Sequence, residues 1–95
     1  MALPARYIAL VEIDFHLGMP MTLDSLPVGQ VAHVLVVRGQ GAHRRRLLEL
    51  GMVEGATIRR TGAAPLGEPL TYELRGAVLA LRSSEASQVE VEVAT

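Results

Sequence analysis

Apolar and polar positions alternate along much of this 95-residue chain, and the period of the alternation marks its strands. Leu70, Tyr72 and Leu74 alternate with Thr71, Glu73 and Arg75, the two-residue period of a half-buried antiparallel strand. Arg75-Gly76 supplies a tight turn, and Ala77 to Arg82 returns as the partner strand. Val89, Val91 and Val93 alternate with Glu90 and Glu92 in a final strand. The β-branched run from Val31 to Arg38 reads as a strand buried on much of both faces. Thr57 to Thr61 reads as another, entered through the Glu54-Gly55 turn.

Between those two strands the period changes. Leu47, Leu48 and Leu50 make an apolar face and Arg44 to Arg46 with Glu49 a polar one, which predicts a two-turn helix over 43–50. Gly51 falls at the C′ position, where positive φ is wanted, and Met52 at C″, where an apolar side chain packs back. Isolated helices need roughly 12–15 residues in water, so this one must lean on the strands. Thr22 to Leu26 reads as one turn with two apolar anchors, closed by Pro27 and Gly29. Ala63 to Pro69 is a loop, and Ser83 is the expected N-cap of a single helical turn. Short strands joined by hairpins avoid exposed edges by closing into a barrel. The predicted fold is therefore mainly β: a small SH3-like β-barrel of about five strands. One short α-helix follows the first strand and a helical turn precedes the last.

Residues 1–20 differ from the rest and end in the breaker cluster Leu17-Gly18-Met19-Pro20. They are expected to form an N-terminal extension, with the SH3-like domain over 21–95. Ile8, Leu10, Ile13, Phe15 and Leu17 alternate imperfectly, so the extension is a candidate added edge strand and a candidate surface for oligomerisation.

Composition narrows the function. The chain has no cysteine, which excludes disulfides, thiolate metal sites and cysteine nucleophiles and fits a reducing compartment. No apolar run approaches the roughly 20 residues of a membrane span, and Glu12 and Asp14 interrupt the apolar stretch Tyr7 to Val11, so neither membrane insertion nor a signal peptide is expected. A formal charge of −1 argues against nucleic-acid binding through the phosphate backbone. All nine basic residues are arginine, as codon usage in a GC-rich genome would produce.

Five pieces of the chain, in order and spacing, resemble the FeoA family of small ferrous-iron-transport accessory proteins. They are Leu23-x-x-Leu26-x-x-Gly29, the strand after it, Arg45-Arg46-Leu47-x-x-Leu50-Gly51-Met52-x-x-Gly55-Ala56, the Pro65 to Pro69 loop, and Leu79-Ala80-Leu81-Arg82-x-x-Glu85-Ala86. The resemblance covers about Met21 to Val93. It implies a cytoplasmic SH3-like domain, without enzymatic activity or cofactor, that supports the GTPase-containing membrane transporter FeoB. Residues 1–20 depart from the family pattern. The barrel is also similar to the C-terminal domain of iron-dependent repressors, whose helix-turn-helix and dimerisation regions this chain lacks.

Catalytic chemistry has little to stand on. Ser25, Ser83, Ser84 and Ser87 sit in turns without a nucleophile elbow, and no phosphate-binding Gly-rich motif is present, Gly39-Gln40-Gly41 being a linker. His16, His33 and His43 are weak candidate metal ligands, because none pairs with a carboxylate at helical spacing, whereas Fe(II) favours a His/carboxylate cluster. Arg44, Arg45 and Arg46 are the candidate docking patch for an acidic surface of the transporter. Cations at a helix N-terminus oppose the macrodipole by about 0.3–1 kcal/mol each, so stability alone would not choose them. An arginine finger acting on the transporter's GTPase is a further reading of the same run. Leu48, Met52, Val53 and Leu66 are candidate apolar contacts, with Leu47 and Leu50 assigned to the core. Only Tyr72 is aromatic within the barrel segment, too few for a proline-helix groove. Two alternatives stay open: a metal-responsive (iron- or zinc-binding) module, and a KOW-like nucleic-acid barrel suggested by Val28-Gly29-Gln30-Val31 and Val37-Arg38-Gly39.

Overall fold

Six strands make one antiparallel sheet in a computed structural model that describes residues 20–94. They are β1 (Pro20–Thr22), β2 (Val31–Val37), β3 (Thr57–Ala63), β4 (Leu70–Leu74), β5 (Ala77–Leu81) and β6 (Val89–Val93), laid side by side in the order β1-β6-β2-β3-β4-β5. Helix α1 (Gly41–Glu49) links β2 to β3, the short α2 (Ser83–Ala86) links β5 to β6, and a 3-10 turn spans Leu23–Ser25. The architecture is SH3-like, with one strand more than the sequence suggested. The extra strand is β1, whose Pro20 pairs with Glu92, so the sheet takes in the last residue of the expected extension. A proline is tolerated there because β1 is an edge. The rest of that extension, with His16 and the candidate added strand, lies outside the described residues.

Among the described residues the sheet ends at β1 and β5, which do not pair with each other. The 3-10 turn instead packs back onto the sheet through two side-chain hydrogen bonds. The Tyr72 hydroxyl on β4 donates to the Leu23 carbonyl at 2.9 Å, and the Arg60 guanidinium on β3 donates to the Leu26 carbonyl at 3.0 Å. The 3-10 turn is thereby seated across β3 and β4, and both of its anchors, Leu23 and Leu26, are fully buried.

Strand β2 corrects one expectation. Its outer face is not buried: Ala32, Val34 and Val37 point into the core while His33 and Val36 are exposed. The register against β6 shifts between Val34 and Val36, so Leu35 forms a bulge and Val37 returns to the inner face. An unbroken β-branched run hides that shift from a periodicity reading. Strand β3 runs to Ala63, two residues past its expected end, with a similar shift between Arg60 and Gly62. The β4–β5 hairpin behaves as expected: Arg75 and Gly76 both take positive φ, 53° and 80°, the requirement of a type I′ turn.

Helix α1 starts at Gly41, two residues before the predicted position, and ends in a Schellman motif. Gly51 has φ 106°, its N–H donates to the Leu48 carbonyl at 3.0 Å, and the Met52 N–H donates to the Leu47 carbonyl at 3.1 Å. That geometry carries Met52 inward, to complete burial beside Leu47, Ile58, Tyr72, Leu81, Val89 and Val91. Leu50, assigned to the core by the sequence, is 37 % exposed instead, since it is the C-cap residue from which the chain leaves the helix. Ser83 is not the N-cap of α2 either. Arg82 holds that place, and its N–H is met by the Glu85 carboxylate at 3.0 Å, one half of a capping box. The Ser83 N–H is taken by Glu68 at 2.8 Å.

Candidate functional site

Helix α1 turns about 100° per residue, so three consecutive arginines cannot share a face. Leu47 is 1 % exposed and marks the inward direction. Arg45, two residues earlier, then points about 160° away from the core, while Arg44 and Arg46 flank Leu47 on opposite sides. The flanking pair is held. Arg44 Nε donates to the Val37 carbonyl at 3.1 Å, and Arg46 is paired with Glu85 of α2. Arg38, just past β2, pairs with Glu90 of β6 at 2.6 Å. Arg45 takes part in none of the described ion pairs, which join Arg38 to Glu90, Arg46 to Glu85 and Arg59 to Glu73.

Between α1 and α2 lies a groove of about 520 Å³, with Arg38, His43, Arg44, Arg46, Arg82 and Glu85 in its walls. Sequence reasoning found Arg44, Arg46 and His43. It missed Arg38, Arg82 and Glu85, because they arrive from separate strands and helices and carry no local pattern. The apolar candidates divide. Leu48 is half-buried, Val53 is 39 % exposed, and Leu66 projects from the β3–β4 loop at 97 % exposure. Met52 is withdrawn as a contact residue, because it is a fully buried core side chain.

The histidines are not gathered. His33 stands exposed on β2, its Nδ1 3.3 Å from Thr57 Oγ1 and its backbone opposite Glu92 of β6. His43 is on α1 and His16 is outside the described residues. Among the described residues no three of His, Cys, Asp and Glu are grouped to hold a metal ion. Ser87 Oγ donates to the Ser84 carbonyl at 2.8 Å, a local turn contact. No helix among the described residues is long and apolar enough to cross a membrane.

Among the described residues, the surroundings of two groups displace them from their ordinary titration range. Glu68 is held below the usual carboxylate range by hydrogen bonds from the Ser83 side chain and backbone. The Tyr72 hydroxyl is pushed up to about 12 by burial, with the Arg60 guanidinium, 5.7 Å from the ring centroid, working the other way. Both groups are structural: Glu68 ties the β3–β4 loop to the start of α2, and Tyr72 pins the 3-10 turn to β4.

A small SH3-like β domain, with its clustered charge on one helix and the adjoining groove, is thus the class that the fold and surface define. Residues 21–93 match the FeoA domain, and the chain belongs to the FeoA family. It is 38 % identical over 73 residues to the Fe(2+) transport protein A/Fe(2+) transporter FeoB fusion protein of Porphyromonas gingivalis, a match covering 77 % of this chain and 9 % of that protein. The chain therefore spans about a tenth of that relative's length. Among solved structures, the FeoA protein of Chlorobium tepidum superposes with a TM-score of 0.73 at 37 % identity, covering 79 % of this chain and 71 % of that one. Stenotrophomonas maltophilia FeoA, solved in complex with zinc, superposes with a TM-score of 0.69 at 41 % identity, covering 76 % and 89 %. The family is linked to ferrous iron transport, and one homologue carries the domain fused to FeoB.

Proposed function

We propose that the chain is a non-enzymatic, cytoplasmic accessory protein of bacterial ferrous iron uptake that acts by direct contact with FeoB. The fusion in the Porphyromonas gingivalis relative carries this reading. A covalent link raises the effective concentration of two modules to about the millimolar range, which is useful when the modules touch. A separate chain must supply the same contact through its own surface. The candidate surface is α1 and the turn after it: Arg44, Arg45, Arg46, Leu48 and Val53, with Leu66 as an exposed apolar point on a separate loop.

The experiment is binding of the full chain to the purified cytoplasmic domain of FeoB, together with an iron-uptake assay in cells lacking the native chain. The triple substitution Arg44→Glu, Arg45→Glu and Arg46→Glu is expected to weaken binding at least about tenfold and to reduce uptake, a loss of about 1.4 kcal/mol or more. No binding by the wild-type chain would sink the function. Full uptake with the triple variant would sink only the surface assignment.

The zinc complex of the Stenotrophomonas maltophilia relative favours a second reading, a metal-responsive module. Here it would have to use His33 or His43, each without a grouped set of partners. Anaerobic titration with Fe(II), and separately with Zn(II), decides between them. Stoichiometric binding abolished by His33→Ala or His43→Ala would favour the metal reading.

A further inference from the structure

The groove between α1 and α2 adds Arg38 and Arg82 to charge that the Arg44–Arg46 run already supplies. Four of the nine basic residues, Arg38, Arg44, Arg46 and Arg82, line one cleft of a chain whose formal charge is −1. Codon usage can make them arginine rather than lysine, but it does not bring Arg82, on the far side of β3, β4 and β5, beside the three from residues 38–46. Like charges gathered in a cleft reinforce one another's field and raise the local positive potential. The compensation inside it is incomplete. Glu85 is the one carboxylate in the walls, and it serves both Arg46 and the backbone of Arg82. Arg38 is offset from outside by Glu90. Arg44 is fixed through Nε alone, and the Arg82 guanidinium belongs to none of the described ion pairs.

We infer that this groove binds a small multivalent oxyanion, a diphosphate group either free or carried on a small molecule. Guanidinium forks match phosphate oxygens with paired, charge-assisted hydrogen bonds. A cleft of about 520 Å³ falls within the size range of small-ligand sites. Arginines arriving from both helices and from the end of β2 supply more positive charge than a monoanion would neutralise. Glu85 acts as a resident competitor: on binding, Arg46 exchanges the carboxylate for a phosphate oxygen. This site goes beyond the proposed contact with FeoB and does not depend on it, since Arg38 and Arg82 lie outside the Arg44–Arg46 run.

The test is calorimetric titration of the full chain at low salt with sodium pyrophosphate and, in a parallel arm, with ADP. Saturable one-to-one binding of pyrophosphate is expected, and binding of ADP as well would show that a carried diphosphate is accepted. Arg82→Gln should weaken binding about tenfold, since one charge-assisted hydrogen bond is lost. Glu85→Gln should tighten it several-fold, because the amide oxygen still accepts the Arg82 N–H while the competing charge is gone. Arg75→Gln, at the β4–β5 hairpin, should change nothing. Arg38→Gln serves in place of Arg82→Gln if circular dichroism shows the latter misfolded. The proposal is overturned if neither wild type nor Glu85→Gln gives saturable heat with either anion. It is overturned equally if the arginine variants bind as wild type does, or if an acidic peptide binds where both anions fail.

Discussion

Tyr72→Phe tests how the 3-10 turn is held to the sheet, because it removes a single oxygen from a fully buried side chain. That oxygen donates to the Leu23 carbonyl at 2.9 Å and pins the 3-10 turn across the sheet. The Leu23 carbonyl also accepts the Leu26 N–H at 3.1 Å, so it is not orphaned by the change. The expected loss near pH 9 is therefore that of one net hydrogen bond, about 1 kcal/mol, rather than the larger penalty of an unsatisfied acceptor. Alkaline pH supplies the second half of the test. Burial raises the Tyr72 hydroxyl from 10.0 to about 12, so the folded protein keeps a proton that the unfolded chain releases. Stability is fully present below about pH 10 and falls between about pH 10 and 12, by at most about 2.7 kcal/mol for the two-unit rise. Phenylalanine does not titrate, so the variant should be flat over that interval and the two curves should converge. The composition keeps the measurement clean: there is no lysine, and Tyr7 is the one other tyrosine. In a Tyr7→Phe background, urea denaturation followed by circular dichroism across this pH range gives both curves. A gap between wild type and Tyr72→Phe that stays constant from about pH 9 to 12 would refute the burial of this hydroxyl against the turn.

Three further changes probe the elements around α1. Gly51→Ala places a side chain at φ 106° and a Cβ 3.2 Å from Leu74 Cδ2, and should cost about 1–2 kcal/mol, read as a lower thermal midpoint. Met52→Ala should cost about 2–5 kcal/mol as a core truncation, whereas Val53→Ser, one residue on and partly exposed, should cost about 0.5 kcal/mol or less by chemical denaturation. Reversed sensitivities would mean that the turn after α1 packs the other way. Glu68→Gln addresses acid stability. The folded carboxyl lies below its ordinary 4.5, so its contribution is present above that pH and is lost as pH falls through the depressed value. The wild type should lose stability on acidification faster than Glu68→Gln, and equal slopes would remove Glu68 from the account.

The sequence carried the β architecture wherever the period of two was unbroken. Leu70-Tyr72-Leu74 and Val89-Val91 point inward as their alternation requires, and the Gly51-Met52 end of α1 takes the capping geometry its residues suggest. It failed where the backbone breaks the period without a marker residue. Leu35 bulges inside a run of β-branched neighbours, so nothing in the local pattern distinguishes a one-sided strand from a two-sided one. Met52 and Leu50 exchanged roles for a similar reason: helical spacing governs Leu50 only while the helix lasts, and the left-handed residue at Gly51 resets the direction. The groove was illegible for a different cause. Arg38, Arg82 and Glu85 meet Arg44 and Arg46 only after β2, α1 and α2 are packed, and such a meeting is a property of topology.

That topology also divides the arginine run. On the outward face of α1 the charge of Arg45 has Glu49 one turn later as its neighbour, so a partner approaching along the helix normal meets a nearly balanced surface. Arg44 and Arg46, turned down the flanks, face Val37 and Glu85 instead and stand in the walls of the groove. Because α1 begins at Gly41, Arg46 falls in its last turn, where the helix dipole favours a cation, rather than at the N-terminus the sequence suggested, and Arg44 is met by a fixed carbonyl. An acidic surface drawn by this run would gain little from Arg45 alone and would have to compete with Glu85 for Arg46. The electrostatic weight of the three arginines therefore lies beside the groove, and the outward face offers mainly shape and the partly exposed Leu48 and Val53.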